Sequence, residues 1–223
     1  AADGTERLVH SFNVNHGGFF PFADLLINAD ADLYGTDIYG GPKNFGTVFE
    51  IAPGGAETVL RTFKGSPSDG AEPQGGVIMD GMGNLYGTLR SGGHSGCDSD
   101  SGCGAVFKLA SDGTETILHF FSGKHGDGGN PVAGLTADQA GNLYGTTEYG
   151  GGSCTLEEAY GCGTVFRIMP DGTEAILYFF SRQNGANGAF PMSGLVADGA
   201  GNLYGTASGG GAYGYGNVFE ITP

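Results

Sequence analysis

The sequence predicts an all-β fold, a four-bladed β-propeller with four antiparallel strands per blade, and three observations predict it. Leu-Tyr-Gly-Thr recurs at 33–36, 85–88, 143–146 and 203–206, and Val-Phe-x-(Ile/Leu) recurs at 48–51, 106–109, 165–168 and 218–221. Their intervals of 52 to 60 residues suit a propeller blade and are too long for most helical solenoids. Glycine supplies 46 of 223 residues, without a Gly-X-Y period, which points to short strands joined by tight turns.

Each unit reads as four strands. The first is Gly-Leu-x-x-Asp, at 134–138 and 194–198, with looser versions at 75–80 and 24–30. A tight turn such as Ala140-Gly141-Asn142 leads to the second, Asn-Leu-Tyr-Gly-Thr. A longer Gly-rich loop leads to the third, for example 163–168, and the turn Pro170-Asp171-Gly172 gives the fourth, 173–180. Asp-Gly between short β-branched and aromatic runs is a strong hairpin signal. Residues 4–12 match a fourth strand, whereas the last unit stops at its third strand, 218–221. The ring is therefore expected to close by pairing 5–12 with 216–221, which leaves only short protected edges. One domain, 1–223, results, with blades 23–63, 75–121, 134–180, and 194–221 plus 4–12.

Composition excludes several classes. A net charge of −15 with nine scattered basic residues argues against nucleic acid as a partner. No apolar run approaches the ~18 residues of a membrane span, so no transmembrane segment is expected. The start, Ala1-Ala2-Asp3, fits a signal-peptide cleavage product and equally an arbitrary beginning. Cys97 and Cys103, and Cys154 and Cys162, each end in Cys-Gly-(Ala/Thr)-Val-Phe, which reads as two local disulfides in an oxidising compartment. A four-cysteine zinc site is the rival, and its usual short spacing is absent.

The phrase at 194–206, Gly-Leu-Val-Ala-Asp-Gly-Ala-Gly-Asn-Leu-Tyr-Gly-Thr, resembles the tandem GloVer repeat of bacterial extracellular ("choice-of-anchor") proteins. The resemblance extends over almost the whole chain, and the second unit departs from it with Gly76-Val77-Ile78-Met79-Asp80. It implies secretion or surface display in bacteria, and it carries no catalytic residues.

Candidate sites divide between two faces. On the short-turn face, Asp30, Asp80, Asp138 and Asp198 recur beside Asp32, Asn84, Asn142 and Asn202. Asx side chains satisfying backbone groups explain them better than a calcium ladder. The long loops on the other face are where binding usually lives. Each inter-blade loop contains Gly-x-x-Pro, with Phe20, Glu72, Asn130 or Phe190 before the proline. Tyr39, Tyr149, Tyr160, Tyr213 and Tyr215 decorate the neighbouring loops, with Glu148 nearby. Rings beside carboxylates and amides suit sugars, since apolar sugar faces stack and hydroxyls take the polar groups.

His94 and His125 are weak catalytic candidates on this face, and Asp69 and Asp127 are weak metal candidates. His10 and His119 share their position with Arg61 and Tyr178, which reads as a partly solvated edge. No cofactor is required on this reading. A structural calcium or other ion in the axial channel is the expected extra, on an architectural resemblance to hemopexin-type propellers.

The leading functional expectation is a secreted or surface-displayed module that binds or adheres to glycans or another surface ligand. A building block of an extracellular matrix or filament, with self-association, is one alternative. A polysaccharide-active lyase or hydrolase is the other. An enzyme is less expected than a binding protein.

Overall fold

The computed structural model describes residues 4–14, 17–65, 68–93, 102–124, 126–152, 154, 161–181 and 187–222. All regular structure among them is β, in four consecutive antiparallel units. Unit 1 holds β1 (Gly18–Pro21), β2 (Leu26–Ile27), β3 (Leu33–Gly40), β4 (Thr47–Ile51) and β5 (Glu57–Thr62). Unit 2 holds β6 (Gly70–Ala71), β7 (Ile78–Met79), β8 (Leu85–Leu89), β9 (Ser91–Gly92), β10 (Ala105–Leu109) and β11 (Glu115–Phe120). Unit 3 repeats this with β12 (Gly128–Gly129), β13 (Thr136–Ala137), β14 (Leu143–Thr147), β15 (Tyr149–Gly150), β16 (Thr164–Ile168) and β17 (Glu174–Phe179). Unit 4 holds β18 (Gly188–Pro191), β19 (Val196–Ala197), β20 (Leu203–Gly210) and β21 (Asn217–Ile221). In units 2 and 3 the four main strands pair in chain order, β7-β8-β10-β11 and β13-β14-β16-β17.

The repeated phrases have identifiable physical duties. Asp80 Oδ1 accepts from the N–H groups of Met82 and Asn84, while Oδ2 accepts from Asn84 Nδ2 at 2.7 Å and the Tyr86 hydroxyl at 2.9 Å. Asp138 and Asp198 repeat the arrangement with Tyr144 and Tyr204. These are Asx turns, in which a side chain satisfies the backbone of a tight hairpin. Burial works against the Asp80 charge, but the bonds from Asn84, Met82 and Tyr86 outweigh it and hold the carboxyl at about 2. In unit 1 the turn is built on Asn28 instead of the expected Asp30: Asn28 Oδ1 accepts from the N–H groups of Asp30 and Asp32.

The glycine of Leu-Tyr-Gly-Thr lies beneath the phenylalanine of Val-Phe, and a Cβ on Gly145 would stand 2.5 Å from Phe166 Cζ. The threonine ties each unit to its successor. Thr36 Oγ1 donates to Gly75 O, Thr88 Oγ1 to Ala133 O, and Thr146 Oγ1 to Ser193 O. Phenylalanines stitch the same seams edge to face: Phe63 on Phe107, Phe121 on Phe166 and Phe180 on Phe219, with centroids 5.0–5.3 Å apart. Such pairs add roughly 0.5–1.5 kcal/mol beyond their buried area.

The expected clasp is not among the strand pairings. Residues 4–13 carry no strand, and β21 pairs with β20. The segment lies against unit 1 instead. Phe12 stacks on Phe49 with centroids 4.9 Å apart, and His10 Nδ1 is 3.0 Å from Gly55 O. Phe12 thus sits on unit 1 as Phe63 sits on unit 2.

The first strands gather around one cavity of about 510 Å³, lined by residues that include Leu25, Val77, Leu135 and Leu195. Asp24 and the glycines Gly76, Gly134 and Gly194 line it among these apolar side chains. Cys154 and Cys162 form a disulfide, and Cys103 is disulfide-bonded too. Cys97 lies outside the described residues.

Candidate metal or acid–base centre

The fourth strands β5, β11 and β17 each open with glutamate, and in β5 and β11 the fifth residue, Arg61 or His119, reaches across the seam. At the seam between units 2 and 3, β11 presents His119, the following loop presents Asp127, and β17 presents Glu174. His119 Nε2 lies 3.4 Å from Asp127 Oδ1 and 3.5 Å from Glu174 Oε2. One ligand atom from each falls within 4.8 Å of the others, the one such group among the described residues. A tetrahedral ion with bonds of about 2.0–2.2 Å requires ligand separations of about 3.3–3.6 Å. The two measured distances fall within that range.

Local structure holds the three groups in place. Asp127 Oδ2 accepts from Ser122 N–H at 2.7 Å and Oδ1 from Gly128 N–H at 2.6 Å, which fixes the carboxylate in its turn. The Phe121 ring stands edge-on to His119, with centroids 4.9 Å apart. Glu174 Oε1 is buried with no hydrogen-bond partner.

The electrostatics follow from two carboxylates sharing one imidazole. Burial pushes Glu174 up, the Asp127 charge adds to this against His119, and the carboxyl rises to about 7. Burial alone would lower His119, but Asp127 and Glu174 outweigh it and raise its pKa. Asp127 is lowered, because the bonds from His119 and Ser122 overcome its burial. Near neutrality Glu174 and His119 are therefore both poised to change protonation beside an ionised Asp127. The cluster is equipped to pass a proton or to exchange it for a cation.

The neighbouring seams share the plan. Arg61 Nη2 bonds Asp69 Oδ2 at 3.0 Å and pairs with Glu115, so a permanent cation replaces the imidazole. At the first seam His10 Nε2 is 3.1 Å from Glu57 Oε2. There Asp37, fully buried, is pushed up to about 6, chiefly by burial and against its bond from Thr47.

His10 and His119 are partly solvated as expected, but they are not idle edge positions: both face carboxylates across a seam. Of the expected metal candidates, Asp127 belongs to the cluster and Asp69 is neutralised by Arg61. The signal that was missed is a column in the repeats. Glu6, Glu57, Glu115 and Glu174 align with one another, as do His10, Arg61, His119 and Tyr178.

The long-loop residues are placed differently from the expected sugar platform. Phe20, Glu72, Asn130 and Phe190 all adopt left-handed backbone, with φ of 57 to 63°. Glu72 N–H donates to Phe45 O, Asn130 N–H to Cys103 O, and Phe190 N–H to Cys162 O, so these positions are corners between units. The aromatic rings divide into separate pairs, Phe20 with Tyr39 and Tyr149 with Phe190. Between those pairs stands a polar stretch, where Arg90 pairs with Glu72 and its carbonyl accepts from Asn130 Nδ2. Glu148 N–H bonds Asn130 O, and Tyr213 and Tyr215 are exposed on unit 4. His94, His125 and Tyr160 lie outside the described residues.

Fold and site together define a repeat-built antiparallel β protein of propeller type, with a histidine–carboxylate centre in a seam. The chain belongs to the Gloeobacter/Verrucomicrobia repeat family, whose pattern matches residues 1–155 and again 99–223. No curated protein matches the sequence. Among solved structures it is similar to a glucose dehydrogenase, at 17% identity and a TM-score of 0.55 over 93% of this chain and 67% of that one. It is also similar to a luciferin-regenerating enzyme (14% identity, TM-score 0.49, 90% of this chain and 60% of that one). A gluconolactonase from Xanthomonas campestris has 17% identity and a TM-score of 0.42, over 87% of this chain and 73% of the other. The chain thus spans about two thirds of the length of these proteins.

The expectation of a glycan-binding or adhesion module, with its matrix and polysaccharide-enzyme alternatives, is corrected by these comparisons. The solved structure similar at a TM-score of 0.55 is named as an enzyme, a glucose dehydrogenase. Among the described residues, the division of the aromatic rings into separate pairs leaves the loop face without a continuous sugar platform.

Proposed function

We propose that the chain is the scaffold of a metal-dependent, enzyme-like propeller of an oxidising, extracellular compartment, with His119, Asp127 and Glu174 as the ligand set. One observation carries this: three donors of the N,O,O type within 4.8 Å of one another, with His119 at 3.4 and 3.5 Å from the two carboxylates and Glu174 Oε1 buried without a partner. An imidazole with two carboxylates suits zinc or manganese better than calcium, which takes oxygen ligands. Three protein ligands would leave a fourth position open, and a zinc ion held there would supply Lewis acidity and an activated water for hydrolytic chemistry. The Cys154–Cys162 disulfide supports the compartment.

The test is calorimetric titration of the chain with Zn²⁺ and Mn²⁺, followed by screening of the loaded protein for hydrolysis of small esters. Binding of one ion that His119→Ala abolishes supports the reading. No binding at millimolar metal ends it. The Arg61–Asp69–Glu115 seam favours a second reading, in which the cluster is a structural lock between blades. On that reading His119→Arg preserves stability and no metal binds.

A further inference from the structure

We infer that the cleft between units 2 and 3, on the face of the short turns, binds a neutral apolar molecule that carries a carbonyl group, with Lys108 as its hydrogen-bond donor. The cleft has a volume of about 520 Å³, within the range of small-molecule pockets. Unit 2 lines it with Ile78, Met82 and Leu118, and unit 3 with Leu143, Met169 and Pro170. Its floor is the core of the seam: Leu143 is buried, and Ile78, Tyr86 and Leu118 pack against the same cluster. The turn at 170–172 closes one side, where a Cβ on Gly172 would stand 3.2 Å from Leu118 O. Both walls come from interior units of the chain.

The make-up of this cleft is particular to its seam. Three of the four methionines in the chain, Met79, Met82 and Met169, line it, and Met82 is 74% exposed. Methionine is unbranched and polarizable, and it adapts to apolar guests of varied outline. The corresponding cleft between units 1 and 2 is smaller, about 290 Å³, and has Glu50 where this one has Lys108. The cleft between units 3 and 4 is lined mostly by alanine, glycine and polar turn residues. Strand β11 separates the cleft from the histidine centre. Its register shift opposite Val106 and Phe107 turns both Leu118 and His119 towards unit 3, since a β-bulge re-aims a side chain. Leu118 takes the cleft, and His119 takes the centre.

The polar groups select a neutral guest. Tyr34, Tyr144 and Tyr204 bond Glu50, Arg167 and Glu220, the residues that share the place of Lys108. Tyr86 instead gives its hydroxyl to Asp80, and Lys108 Nζ stands over the ring, 5.7 Å from its centroid. Among the described residues this ammonium has no carboxylate or hydrogen-bond partner, so its donors are open to a guest. Asp80 and Asp138 also line the cleft, but each spends both oxygens on its own turn and has no acceptor left for an amine. Their charges, in a chain of net charge −15, oppose an anion. A carbonyl oxygen accepts from Lys108 and meets neither objection.

The experiment titrates the metal-free chain with Nile red, a neutral carbonyl dye whose emission rises in apolar surroundings. Methyl octanoate, octanoate and octylammonium then compete with it in turn. Omitting metal keeps the result apart from that of the His119 centre. One saturable site is expected, emptied by methyl octanoate and not by octanoate or octylammonium at the same concentration. Lys108→Met keeps an apolar wall and removes the donor, so the ester should bind about tenfold more weakly at an unchanged melting temperature. Ala140→Trp, at an exposed position on the rim, should fill the cleft and abolish dye binding. No saturable change in emission overturns the inference, as does dye bound equally by the parent and Ala140→Trp. Competition by octanoate or octylammonium as strong as by the ester overturns the neutral class. Unaltered ester affinity in Lys108→Met overturns the role of the lysine.

Discussion

Arg61 and His119 occupy the same position of consecutive units, and each faces two carboxylates across its seam. The guanidinium is charged at every accessible pH, whereas the imidazole titrates near neutrality. One seam is thereby a permanent ion cluster and its neighbour is open to exchange.

His119→Arg copies the second seam into the third. The variant should fold with a melting temperature at or above that of the parent, and lose Zn²⁺ affinity by more than about 100-fold, beyond the loss typical of an outer-shell change. Calorimetry on parent and variant at one pH checks both outcomes. A variant that still binds metal equally well removes His119 from the ligand set.

Stability should fall as pH rises from mildly acidic to alkaline. Glu174 is raised to about 7 and Asp37 to about 6, so between the ordinary carboxyl range and those values the folded chain holds more protons than the unfolded one. The unfolding free energy then decreases with pH. His119, also raised, acts in the same sense: its contribution is full below its ordinary value and is lost as pH rises through the folded one. Below about pH 4 the sign reverses, because Asp80 and Asp138 are lowered and their turns are lost on protonation. Thermal melts from pH 3 to 9 should therefore peak at about pH 4–5, where the acid limb ends and the decline begins, and Glu174→Gln should flatten the alkaline limb. An optimum above pH 8 contradicts the assigned shifts.

Gly145→Ala and Gly205→Ala make the same change in different surroundings. Both Cβ atoms would meet a phenylalanine Cζ at 2.5 Å, but Phe166 is fully buried whereas Phe219 is only partly so. Overpacking should cost about 1–3 kcal/mol at 145, and distinctly less at 205, where the ring is free to yield. Urea melts of the two variants give the comparison.

Thr88→Val removes the donor to Ala133 O inside a seam. Leaving a buried carbonyl unmet should cost about 1–3 kcal/mol. Thr206→Val, at an exposed position of unit 4, should be close to neutral. Equal costs at both positions would mean that unit 4 is covered as units 1 to 3 are.

The repeated turns were legible because their partners lie close in sequence: Asp138 reaches only to Asn142 and Tyr144. The four units and their strand order were legible for the same reason. The centre was not, because Glu174 stands 55 residues after His119 and the two meet only once blades stack. Asp127 was singled out without its partners, and His119 was set aside because arginine and tyrosine share its column. The loop aromatics misled for a geometric reason. Composition shows that Phe20 and Phe190 are rings, but not that their backbone turns left-handed and separates them into different seams.

That left-handed corner has an evolutionary consequence. At 20, 72, 130 and 190 the backbone favours glycine, and a side chain there costs on the order of 1–2 kcal/mol. The inter-unit bonds at 72, 130 and 190 run through main-chain groups, as when Glu72 N–H meets Phe45 O and Asn130 N–H meets Cys103 O. Side-chain identity is thereby uncoupled from architecture: phenylalanine, glutamate and asparagine all stand on the same bend. Such positions can drift, or be randomised in a library, while the framework stays constant. A family of these repeats can in this way diversify its chemistry one blade at a time.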